Sequence, residues 1–152
     1  MCYETVKCNM VILKMSELVR FGVSLEKRLL ERFDALNREK KYTNRSEALR
    51  DMIRRELVQK EWREGREVAG AITLIYDHHT RDLMAKVTDI QHDFQTLIIS
   101  TQHIHLDHHH CLEIIAARGK AEDVQRLADA LTSVKGVRHG TLSMSSTGRE
   151  IG

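Results

Sequence analysis

Eight of the nine histidines lie within residues 78–110, and Cys111 follows them directly. His103 and His105 are two residues apart, so on a strand their imidazoles share one face and can reach one ion. Cys111 lies six residues beyond His105, across a turn and at the start of the paired strand, where a thiolate can supply a third ligand. His92 lies eleven residues before His103, at the end of a helix. Imidazole and thiolate donors together suit Zn, Cu, Ni or Fe rather than Mg or Ca. A tetrahedral set would indicate zinc and a planar N/S set Ni(II) or Cu(II), and spacing does not choose between them. The plainer alternative is a solvated histidine-rich turn beside a buried structural cysteine. Glu113, two residues past Cys111, can accept a hydrogen bond from a ligating imidazole. His78, His79 and His108, His109 and His110 read as exposed turn residues, and His139 as a structural histidine.

The elements that must carry these residues follow from periodicity. Ala71–Tyr76 reads as a strand, and 82–92 as a helix with Leu83, Val87 and Ile90 on one face. Thr96–Leu106 reads as a long strand, 107–110 as a turn and Cys111–Arg118 as a returning strand. Residues 121–133 form a helix, and Val137–Met144 a last strand. The order βαββαβ predicts a ferredoxin-like α+β domain over 71–149.

A different module precedes it. In residues 19–25, Phe21, Val23 and Leu25 alternate with Arg20, Gly22 and Ser24, which predicts a half-buried strand. Leu29, Leu30, Phe33 and Leu36 follow at helical spacing. Asn44 with Glu47 three residues on begins a second helix, with a stripe of Leu49, Met52, Ile53 and Leu57. One strand and two helices over 19–64 cannot bury a core alone. Two copies that pair their strands and interlock their helices can, so this module predicts a dimer. Its two-stranded ribbon would present Arg20, Gly22 and Ser24 to a DNA major groove. The helix start at Asn44, Arg45 and Ser46 suits a backbone phosphate. Residues 65–70 read as a linker, and 1–18 as an N-terminal extension with no clear period, Met15 being a candidate native start.

Charge agrees with this division. Residues 20–66 hold 14 Lys+Arg against 9 Asp+Glu, whereas 67–152 hold 8 against 11. A basic segment joined to an acidic one suggests a polyanion binder coupled to something else. The chain is 152 residues long, 41% hydrophobic and 30% charged, and no apolar run approaches the eighteen residues of a membrane span. Three cysteines give no disulfide framework, so a reducing cytoplasm is expected.

The segment STQHIHLDHHHCLEI at 100–114 resembles the metal-site segment of the nickel-responsive transcriptional regulators, the NikR family. YTNRSEALRD at 42–51, the IQH triplet at 90–92 and KGVRHG at 135–140 resemble the same family in the same order. The resemblance spans about 18–149. It implies a ribbon-helix-helix domain followed by an ACT-like domain, assembled as a homotetramer in which regulatory domains are flanked by two DNA-binding dimers. It further implies Ni(II) held by His103, His105 and Cys111 of one subunit and His92 of its neighbour. Family members with a hydroxyl residue at the middle ribbon position have three readers per strand. Gly22 supplies none, so a different operator sequence is expected.

The expected function is a nickel-dependent transcriptional regulator that represses nickel uptake genes, with the same architecture sensing Zn, Cu or Co as the alternative. A metalloenzyme would need an open coordination position and a nearby base, and neither is evident. A small-ligand sensor would leave the histidine–cysteine cluster unexplained.

Overall fold

The computed structural model describes residues 18–151. All but the last residue of the expected extension, together with Met15, Cys2 and Cys8, lies outside the described residues. Helix α1 spans Lys27–Glu39 and α2 spans Arg45–Arg63. Asn44 Oδ1 accepts the Glu47 amide at 2.9 Å, which satisfies one of the free donors at the start of α2. Both helices end alike. Lys41 takes a left-handed φ of 58°, with Tyr42 N donating to Asn37 O. Gly65 takes φ 67°, with Arg66 N donating to Glu61 O. These six-to-one bonds turn the chain out of each helix while satisfying its last carbonyls.

Residues 18–26 form no strand in the single chain, contrary to the expectation for 19–25. The reason is physical: a ribbon has no ladder until a second chain supplies one. Its apolar side chains stand in solvent, with Phe21 70% and Val23 56% exposed. They line a groove of about 790 Å³ with Leu29, Phe33, Leu49 and Ile53.

The second unit is a four-stranded antiparallel sheet of order β2-β3-β1-β4. Its strands are β1 (Glu67–Asp77), β2 (Ile98–His105), β3 (His110–Lys120) and β4 (Val137–Ser146), with α3 (Leu83–Asp93) and α4 (Ala121–Thr132) between them. This is the anticipated βαββαβ order. The expected linker at 65–70 is shorter, however, because β1 already begins at Glu67, which pairs with Lys120. Gly70 belongs to that strand: a Cβ there would lie 3.1 Å from Leu142 Cδ1, and glycine therefore reads as close packing rather than as a break.

Strict alternation places Val68, Ile72, Leu74 and Tyr76 of β1 on one face with Cys111, Ile115 and Ala117 of β3. Leu83 and Val87 of α3 and Val124, Leu127, Ala128 and Leu131 of α4 close that face into the core. Each fully buried aliphatic side chain contributes about 1.5–3 kcal/mol. Gly140 admits α4 closely, since a Cβ there would lie 2.4 Å from Thr132 Cγ2. His78, His79, His103, His105 and Cys111 gather near the end of β1, beside the β2–β3 hairpin.

Candidate metal centre and nucleic-acid interface

Register brings the metal-capable residues together. His105 lies opposite Cys111 across β2 and β3, His103 opposite Glu113, and Tyr76 of β1 opposite Cys111 on its other side. Cys111 is fully buried in the middle of that row. Its Sγ lies 3.4 Å from His105 Nδ1 and 3.3 Å from His78 Nδ1. The donor atoms of His78, His105 and Cys111 all lie within 4.8 Å of one another. Burial pushes the Cys111 thiol up, and the charges of Asp107, Asp77 and Glu113 add to the effect. Desolvation lowers His78, helped by the neighbouring His79 and His105, so its imidazole favours the neutral form that ligates. The donor set thus fits a borderline transition ion that displaces the thiol proton on binding.

His103 shares the face, its ring centroid 4.9 Å from that of His105. It stands outside the compact trio, and Tyr76 Oη lies 3.2 Å from His103 Nδ1. His92 is exposed in the last turn of α3 and is not gathered with the trio in this chain.

Glu113 organises the surroundings. Its Oε2 accepts from the Tyr76 hydroxyl, and its Oε1 accepts from Gln91 Nε2 at 2.6 Å. Gln91 Oε1 in turn accepts from Thr101 at 3.0 Å. Glu113 therefore reaches His103 through Tyr76. Burial first, and then the bond to Glu113, hold the Tyr76 phenol well above its ordinary range, so it stays a donor.

His78, Tyr76 and Gln91 are absent from the sequence-based site. A signal for two of them existed. A strand ending near Tyr76 puts residue 78 on the same face as residue 76, and the paired strand carries Cys111.

On the other unit, Arg20 and Ser24 are exposed, and nothing lies within 4 Å of where a Cβ on Gly22 would be. The Asn44 side chain is engaged in its cap, and Ser46 is exposed. Arg45 is held in a two-pronged pair by Asp34, Nε to Oδ1 at 2.8 Å and Nη2 to Oδ2 at 2.7 Å. That pair aligns the guanidinium at the start of α2 and leaves only part of it for a phosphate.

Among the described residues, no helix is long and apolar enough to cross a membrane. The domain family described as the NikR C terminal nickel binding domain matches residues 69–145. The ribbon-helix-helix protein, copG family, matches 19–60. A protein of Syntrophus aciditrophicus named as a candidate nickel-responsive regulator is 60% identical over 135 residues, covering 89% of this chain and 98% of its own. A protein of Chlorobium limicola with the same name is 60% identical over 134 residues, 88% of this chain and all of its own. One of Geobacter sulfurreducens is 53% identical over 138 residues, 90% and 99% respectively.

Proposed function

Because the chain belongs to the NikR family of nickel-responsive regulators, we propose that it is a repressor whose DNA binding is switched on by Ni(II) held between subunits of a homotetramer. The chain is a nickel-binding transcription regulator with a ribbon-helix-helix DNA-binding domain, not an enzyme. The finer reading assigns the ion to His103, His105 and Cys111 of one subunit and to His92 of the partner subunit. One observation carries it: Cys111 is buried in register with His105, on the face that holds His103, while His92 is exposed and gathered with none of them in its own chain. His103, His105 and Cys111 would hold the ion from one chain and His92 from the other, so that its binding would link the two subunits.

The ribbon face of Arg20, Gly22 and Ser24 reads base edges of operator DNA, and Asn44, Arg45 and Ser46 meet the backbone. The exposed apolar side of that module supports pairing of two chains, and two such pairs make the tetramer a dimer of dimers. For nickel to activate binding, it must bind the DNA-competent arrangement more tightly than the other. Such a regulator works in the cytoplasm, and its natural targets are nickel uptake genes.

The test uses nickel binding and operator gel shifts. His92→Ala and Cys111→Ala chains each lose nickel binding alone. Tetramers mixed from the two regain it, because a trio from one chain meets His92 of the other. Failure of the mixture to recover either binding or the gel shift rejects the shared site.

A second reading has its own support. His78, His105 and Cys111 form a three-ligand set within one chain, which with one water suits tetrahedral zinc. Metal content and absorption separate the two. A nickel–thiolate band lost in Cys111→Ala but kept in His78→Ala favours the shared nickel site.

A further inference from the structure

Beside the cysteine centre lies a second cluster with a different donor chemistry. Asp77, the last residue of β1, and His79 and His109, from two facing loops, hold their donor atoms within 4.8 Å of one another. Hydrogen bonds of backbone amides hold the two loops together. The His78 amide donates to His109 O at 3.3 Å and ties the loop after β1 to the β2–β3 turn. Asp107 Oδ1 accepts the amides of His109 and His110, both at 2.7 Å, and folds that turn so that the His109 ring lies 5.4 Å from the His79 ring. Asp77 Oδ1 accepts the His79 amide at 3.0 Å and lies 3.3 Å from His79 Nδ1. Arg138 Nη2 stands 3.9 Å from the other oxygen, Oδ2, and leaves Oδ1 on the histidine side.

We propose that Asp77, His79 and His109 form a second transition-metal site, open to water and separate in its ligands from the Cys111 centre. Two imidazoles and one carboxylate are the donor set of borderline divalent ions such as Zn(II), with the remaining positions taken by water. His79 and His109 are exposed, so the ion is hydrated and bound more weakly than at a buried thiolate. Arg138 adds a competing positive charge. The ligand sets share no residue, but His78 and His79 rings lie 4.0 Å apart, so the two ions are neighbours.

The test starts from the full-length protein loaded with one nickel per chain. It is dialysed against zinc, and bound zinc is counted by elemental analysis. The wild type takes up one further zinc per chain, with no new thiolate absorption. The double variant His79→Ala/His109→Ala takes up none, and Asp77→Asn binds it at least about tenfold more weakly, as loss of a metal-site partner does. Cys111→Ser loses the nickel and keeps the zinc, which separates failure of this site from failure of the proposed nickel site. Zinc retained by the double variant, or no additional zinc in the wild type, overturns the proposal. All three ligands lie at the loop ends rather than in the core, and a melting curve confirms that each variant is folded.

Discussion

Replacing Tyr76 by Phe removes one oxygen atom and leaves the ring, so packing around this fully buried residue is preserved. What is lost is the donor to Glu113 Oε2 and the neighbour of His103 Nδ1. Glu113 is only 4% exposed, so water does not replace the missing donor without some opening of the site. A hydrogen bond to a charged group is worth about 1.5–3 kcal/mol, and an orphaned buried acceptor costs a similar amount. For a chain of this size each kcal/mol moves the melting midpoint by about 2–4 °C, which gives a fall of roughly 3–12 °C for the metal-free protein. His103 also loses what orients it, and nickel affinity drops by about 10–100-fold, the usual effect of removing a partner of a ligand. Calorimetry of the metal-free protein reads the first effect, and competition with a chelator reads the second. A melting shift below 1 °C refutes the assigned hydrogen-bond cost. A normal nickel affinity with a lowered melting point refutes the hold of Tyr76 on His103.

Other outcomes follow from single sites. Asn44→Ala removes the cap on Glu47 N and destabilises the first module by about 1 kcal/mol in chemical denaturation. Lys41→Gly relieves a left-handed backbone and raises stability by roughly 0.5–1 kcal/mol in the same assay. The Asp107 carboxyl is held well below its usual range, first by the His109 and His110 amides and then by the His110 side chain. A lowered folded value means that its contribution is present above the ordinary Asp value near pH 4 and is lost as pH falls through the folded value. Melting curves of the wild type and Asp107→Asn therefore differ at pH 6 and converge as the pH drops below about 4; an unchanged gap contradicts this.

The ferredoxin-like unit was legible because its strands alternate cleanly and its helices carry aliphatic residues at helical spacing. The start of β1 was not: Gly70 mimics a break, and only the close approach of Leu142 from β4 shows why a strand carries it. The ribbon reads clearly in Phe21, Val23 and Leu25, yet it forms no strand in a lone chain, because its partner belongs to another copy. Cys111 and His105 were readable from spacing, since strand pairing turns six residues and a turn into direct opposition. For His78 and Tyr76 the strand pattern gave a shared face but not the neighbour, because their approach to Cys111 depends on the long-range pairing of β1 with β3. The nickel and DNA functions rest on the similarity to known regulators rather than on any single distance.

The complete enclosure of Cys111 also governs its chemical lifetime. A thiol flanked by strands on both sides, shielded from solvent and pushed away from ionisation, offers oxidants and alkylating agents little of the reactive thiolate. The same burial that sets the sulfur beside His78 and His105 thus slows its reaction with oxidants and alkylating agents.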